Sequence, residues 1–142
     1  MRHSVPFIVI AAVAFAGLQS SACNKEKGAD CQRLVQTAGP AHSALKEAFG
    51  RSDQLPPDLE AQAESWEKTA AELKALALKD SSIQTLANEY AAVIERAAKI
   101  RRDMAAAGTA LDPTAAAKSQ AAATSFITDE MKAMSHIQTT CN

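Results

Sequence analysis

Residues 82–107 read SIQTLANEYAAVIERAAKIRRDMAAA, and their apolar positions fall at Ile83, Leu86, Tyr90, Val93, Ala97, Ile100, Met104 and Ala107. The steps are 3, 4, 3, 4, 3, 4, 3, the spacing of one stripe on an α-helix sustained over more than three heptads. A helix of that length rises about 39 Å at ~1.5 Å per residue and must pack along all of it. The fold is therefore expected to be all-α and built around this helix. Gly108 is the expected stop, because glycine enters the left-handed conformation that ends helices at no steric cost.

Outward from this helix the chain repeats the same grammar. On the N-terminal side, Lys79-Asp80-Ser81 is a tight connection, and before it a helix is expected from Pro57 to Leu78. Leu59, Trp66 and Leu73 recur there every seven residues, flanked by Ala63, Ala70 and Ala77, while Glu60, Glu64, Lys68 and Glu72 form a solvated face. Residues 50–56 (GRSDQLP) read as a loop. A first helix is expected from Asp30, as N-cap, to Phe49, with Leu34, Val35, Ala38, Ala41, Leu45, Ala48 and Phe49 as its stripe. Pro40 removes one backbone hydrogen bond and crowds the carbonyl of Gln36, so a kink is expected there. On the C-terminal side, Thr109–Asp112 is a loop and Asp112-Pro113 an N-cap with a first-turn proline. The fourth helix should run towards Cys141 with Ala116, Ala123, Phe126, Ile127, Met131, Met134 and Ile137 inward. Four helices joined by short loops predict an antiparallel up-down-up-down four-helix bundle over residues 30–142.

The first 23 residues follow a different logic. Met1-Arg2-His3-Ser4 is a basic start, Val5–Leu18 is apolar, Gln19-Ser20-Ser21-Ala22 is a run of small and polar residues, and Cys23 follows. That order is the order of an export signal, here residues 1–22. The apolar run rises only about 21 Å as a helix, short of a hydrocarbon core of about 30 Å, so it is expected to direct export and be removed. Leu18 to Cys23 resembles the lipobox of bacterial lipoproteins, in which the cysteine becomes the first mature residue and carries the lipid. Ala22 and Ser21 fit that pattern, whereas Ser20 stands where the family prefers leucine. The resemblance implies lipidation of Cys23, a membrane partner through the lipid, and residence in the cell envelope. Asn24 in place of aspartate implies the outer membrane, facing the periplasm, in a Gram-negative cell. An ordinary signal cleavage at Ser20-x-Ala22 also cuts before Cys23 and leaves a free thiol instead.

Cysteine arithmetic bears on that choice. The chain has three cysteines, Cys23, Cys31 and Cys141, and an odd count leaves an exposed thiol in an oxidising compartment. Lipidation of Cys23 leaves Cys31 and Cys141 as a pair. In the expected topology the start of helix one and the end of helix four lie at the same end, so one disulfide clamping the bundle is expected. Asn24–Ala29 then reads as a polar tether within residues 23–29.

Charge and motifs narrow the function. Without Arg2 the chain carries 14 Lys+Arg against 16 Asp+Glu, which is no footprint for nucleic acid. There is no Glu-x-x-His for a di-iron site, no Cys-x-x-Cys-His for haem, no His-Glu-x-x-His, no phosphate-binding glycine loop and no Gly-x-Ser-x-Gly. No cofactor, metal or enzyme activity is expected. His42 and His136 differ by six residues, about 9 Å, in height above the cysteine end, too far apart to share an ion. Glu130 is level with His42 and can meet it. Met131, Met134 and His136 do not converge on one face, so the methionines read as core filler. Arg96, Lys99, Arg101 and Arg102 form a basic cluster that can meet phosphate groups or an acidic partner, although cations near a helix C-terminus are also favoured by its dipole. The expectation is a non-enzymatic envelope lipoprotein acting through contact with an envelope protein. The alternative is a periplasmic bundle binding a small molecule or metal, with the alanine-rich part of helix four facing Trp66 and Tyr90 across a pocket.

Overall fold

The computed structural model describes residues 19–50 and 58–142. The expected signal, apart from its last four residues, and most of the 50–56 loop lie outside the described residues. Within them the chain forms α1 (Gln19–Gly50), α2 (Leu59–Lys74), α3 (Ser81–Ala110) and α4 (Pro113–Cys141). Among the described residues no helix is long and apolar enough to cross a membrane.

The four helices make an antiparallel bundle in the order expected. α3 packs against all three others and α1 against α2 and α4, while α2 and α4 do not meet, so α1 and α3 lie across the short diagonal. α3 is accordingly buried beyond its seam. Ile83, Leu86, Tyr90, Ala97, Ile100 and Ala107 are inside, and so are Ala87, Ala91, Ile94 and Ala98. Small alanines on these extra positions let three neighbours approach one helix. At one end of the bundle Cys31 and Cys141 form a disulfide with a Cα separation of 5.3 Å. At the same end Arg33 donates from Nη1 to the carbonyl of Ala77 at 2.9 Å, which ties α1 to the chain leaving α2.

Several boundaries differ from expectation. α1 does not start at Asp30. It is already helical at Gln19, and residues 24–29, read as a tether, continue it. Asp30 is buried at 3% exposure, and its carboxylate accepts from the backbone N–H groups of Lys79 at 2.6 Å and Asp80 at 2.8 Å. It caps the chain entering α3, and Glu26 adds an ion pair to Lys79 at 3.0 Å. Pro40 is accommodated inside an unbroken α1.

α2 stops at Lys74 rather than Leu78, and Asp58 is its N-cap, accepting from Ala61 N–H. Gly108 does not end α3. The helix continues to Ala110, and Leu111 takes the left-handed cap at φ 52°. Asp112 caps α4 as expected, accepting from Thr114 and Ala115. Four residues placed on the apolar faces are exposed instead: Val35 and Met131, at 45% and 54%, and Ala77 and Ala116. The core takes in instead Asp30, Arg101, Ser119 and Glu130, polar groups that fall in its helical phase.

Candidate functional site

Three polar side chains, Glu130, Tyr90 and His42, converge where α1, α3 and α4 meet. On α4, Glu130 follows Phe126 by four residues and precedes Met134 and Ile137, so the helical repeat turns its carboxylate inward with them. Burial of an unpaired carboxylate would be costly, and two side chains answer it. Tyr90 of α3 donates its hydroxyl to Glu130 Oε1 at 2.7 Å. His42 of α1 places Nδ1 2.8 Å from the same oxygen. His42 and Glu130 each lie eleven residues from their disulfide partners, so the register set by Cys31–Cys141 brings them level. Loss of solvent around Tyr90, and then its bond to the carboxylate, push its ionisation well above the ordinary tyrosine range.

Chemically, this cluster orients one imidazole. The carboxylate accepts Nδ1–H of a half-buried ring, which fixes the tautomer and the orientation of the imidazole. Among the described residues no group of three His, Cys, Asp or Glu side chains is placed to hold a metal ion. His136 stands apart, exposed, with Nδ1 3.9 Å from Glu89. Met134 is buried while Met131 faces solvent, so neither forms a soft-ligand set with it.

The basic cluster divides. Arg101 is not on the surface: at 3% exposure its guanidinium lies 4.2 Å from the Phe49 ring centre and 5.8 Å from that of Trp66. It donates from Nη2 to the carbonyl of Ala48 near the end of α1, where a cation meets the negative end of the helix dipole. Burial lowers its pKa from the ordinary arginine value. Arg102 bridges α3 to α2 through Glu67 and Glu60, and its hydrogen bonds hold the Glu67 carboxyl below the usual range. Arg96 pairs with Asp129 of α4 at 2.7 Å, and Lys99 with Asp103 at 2.8 Å. Arg96 and Arg102 thus tie neighbouring helices together, while Lys99 is paired within α3.

Open grooves flank the bundle, among them two between helices. One, of about 510 Å³, runs between α3 and α4, with Ala107, Ala110, Ala115, Ser119 and Ala122 along it and Lys99 and Lys118 at its edges. The alanine-rich half of α4 therefore faces α3, and neither Trp66 nor Tyr90 lines this groove as the sequence reading expected. The other, of about 450 Å³, separates α1 from α2 beside Pro40 and Trp66.

Reading by stripe alone missed the Tyr90–Glu130 bond and the role of Asp30. The signal was present in both cases, as a carboxylate in phase with the core: Asp30 four residues before Leu34, and Glu130 between Phe126 and Met134. A buried tyrosine also needs a partner for its hydroxyl.

The class these features define is an antiparallel four-helix bundle, clamped by a terminal disulfide and carrying one buried polar cluster. No protein-family model matches the chain, and no curated protein or solved structure is significantly similar to it.

Proposed function

We propose that this chain is an exported, non-enzymatic lipoprotein of the bacterial cell envelope, anchored through Cys23, whose bundle works by contact with other protein surface. The observation that carries the reading is the use of the cysteines. Cys31 and Cys141 are consumed by the disulfide, which leaves Cys23 alone, directly after an export-type signal and a lipobox-like exit. An oxidising compartment suits the disulfide, and a lipid thioether gives the remaining sulfur a use.

The interaction role is supported by how the polar groups are spent. Glu130, Tyr90 and His42 bind one another across three helices, and Arg96, Lys99 and Arg102 hold intramolecular ion pairs. The chemistry-bearing side chains thus have structural duties. The α3–α4 groove supports a second reading, a periplasmic small-molecule binder, but its rim offers only mixed charge on an alanine floor.

The test is the intact mass of the chain purified from membranes, before and after reduction. A mass above the Cys23–Asn142 polypeptide by a diacylglyceryl group and an acyl chain, lost on Cys23→Ser, is expected. A bare polypeptide in the soluble fraction would overturn the anchor and put the ligand-binding reading first.

A further inference from the structure

The end of the bundle that carries the disulfide is also the end nearest Cys23, and very little chain separates the two. Asp30 is buried and accepts from the N–H groups of Lys79 and Asp80, which fastens α1 to the chain entering α3. One residue later Cys31 is bonded to Cys141. About one turn before Asp30, Glu26 pairs with Lys79 at 3.0 Å. Only residues 23–25 separate the cysteine from that pair, and they too are helical. As a helix, the stretch from Cys23 to Asp30 rises about 10 Å at ~1.5 Å per residue. Even fully extended, residues 23–25 reach only about 10 Å. The same end is the positive pole of the molecule. Of the 14 Lys+Arg and 16 Asp+Glu after the signal, it holds Lys25, Lys27, Arg33 and Lys79 against Glu26, Asp30 and Asp80, which leaves 10 against 13 elsewhere. Its acids are also engaged: Asp30 by two backbone N–H groups, Asp80 by the cap of α3, Glu26 by Lys79. Lys25 is exposed and Lys27 half-buried. They lie about 200° apart around the helix, so they flank it on opposite sides just beyond Cys23.

We infer that the disulfide end of the bundle is a membrane-contact surface, seated on anionic phospholipid head groups with Lys25 and Lys27 against the phosphates. This deepens the anchored reading and rests on it. A lipid on Cys23 holds that residue at the bilayer surface, and the short leash holds the disulfide end within about 10 Å of it. Basic side chains at that distance are drawn to an anionic surface. The rest of the molecule carries the excess of acid, so laying a flank on the same lipids sets like charge against like. Charge and leash thus favour one stance, with the helices rising from the bilayer. Lys74–Glu95 and Arg102–Glu67 put Trp66 of α2 near the level of Arg102 on α3. Measured from Cys23 along the axis, Trp66 then stands roughly 40 Å away and the α3–α4 turn at Leu111 roughly 55 Å. A bundle on its side brings Trp66 within about 20 Å of the lipid, the width of two packed helices. Standing, the chain presents the α3–α4 turn and its flanks to other envelope proteins, and keeps the disulfide end for the membrane.

The experiment places the chain purified from membranes in vesicles of phosphatidylethanolamine and phosphatidylglycerol. Amine-reactive labelling, read by mass spectrometry, should fall several-fold at Lys25 and Lys27 relative to the unanchored Cys23→Ser chain in solution. Lys118, exposed near the far end, should label equally in both. The lone tryptophan, Trp66, serves as energy donor to a dansyl-headgroup lipid in the same vesicles. The unaltered chain should show little transfer. A flexible Gly-Ser insertion of about 12 residues after Asn24 frees the bundle to lie down, and should raise transfer several-fold with helicity and melting unchanged. Equal labelling of Lys25 and Lys27 in the two settings, or transfer from Trp66 that the insertion does not alter, would overturn the inference. The intact mass of the same sample separates this result from that of the anchor. A lipidated chain that fails these tests refutes the seating alone, whereas a bare polypeptide mass refutes the anchor and the seating together.

Discussion

The carboxylate of Asp30, an α1 residue, accepts the backbone N–H of Asp80 at 2.8 Å, fifty positions along the chain. Asp80 in turn caps α3 with its own carboxylate, accepting from Ser82 and Ile83. Those bonds, the Ser82 hydroxyl foremost, hold the Asp80 carboxyl below the usual range. One acidic side chain thus organises the residue that starts the central helix. With Arg33–Ala77 and the disulfide, it gathers all four helices at one end.

Removal of that carboxylate should be costly. Asp30→Ala leaves the N–H groups of Lys79 and Asp80 without their acceptor in a buried setting, at about 1–3 kcal/mol for each group left unsatisfied. The expected net loss is about 2–3 kcal/mol in urea unfolding, with Asp30→Asn, which keeps one oxygen acceptor, losing less. A change below ~0.5 kcal/mol for Asp30→Ala would show that water replaces the carboxylate freely.

Alkaline unfolding offers a second test, because the chain has one tyrosine. Tyr90 is raised above its ordinary value of 10.0, first by burial and then by Glu130. The folded state therefore holds this proton where the unfolded state releases it, and stability falls as pH rises above about 10. Tyrosinate absorbance should appear together with the loss of helical circular dichroism, in one step. Tyr90→Phe removes that alkaline dependence and costs about 1 kcal/mol at neutral pH through the lost hydrogen bond. Free titration of Tyr90 near pH 10 in a folded chain would contradict its burial.

Arg101 separates packing from charge. Its guanidinium is buried against Phe49 and Trp66, and its Nε has no hydrogen-bond partner. Arg101→Met keeps most of the volume and removes a buried cation, and such exchanges are often neutral or stabilising. A change within about 1 kcal/mol is expected. Arg101→Ala opens a cavity beneath both rings and should cost about 2–4 kcal/mol. The lone tryptophan reports either event by its fluorescence. A large loss for Arg101→Met would mean that the bond to Ala48 and the ring contacts outweigh desolvation.

The sequence made the bundle legible where one force acts alone. The α3 seam is a matter of apolar period, and Ile83, Leu86, Tyr90, Ala97 and Ile100 are buried as that period requires. The disulfide followed from topology, since an even number of antiparallel helices returns the chain to its starting end. What was not legible was set by contacts distant in sequence. Asp30 looks like a cap for its own helix because nothing nearby reveals that Lys79 and Asp80 need an acceptor. Glu130 could be set level with His42 from the topology, but its bond to Tyr90 of α3 could not be read until that helix was placed beside it. Val35 and Met131 fit the stripes but sit at their margins, and α4, with only two neighbours, buries a narrower arc at Met131 than α3 does along its seam.

The end of α3 shows local preference overridden, and it can be tested directly. Gly108 is the residue best suited to a left-handed cap, yet the helix passes through it, and Leu111 adopts φ 52° at 87% exposure. The cap bonds run from Leu111 N–H to the carbonyl of Gly108 and from Asp112 N–H to that of Ala107, which sets the reversal one step before the Asp112 cap of α4. A Cβ in that conformation costs roughly 1–2 kcal/mol, and so exposed a side chain recovers little by packing. Glycine removes that strain at an entropic cost of about 0.5–1 kcal/mol in the unfolded chain. Leu111→Gly should therefore raise stability by about 0.5–1 kcal/mol, and Gly108→Ala, inside the helix with open space around it, by up to a similar amount. Thermal unfolding of both variants checks the pair. If Leu111→Gly destabilises, the Leu111 side chain contributes a contact beyond the isolated chain, and its loss should then depend on protein concentration.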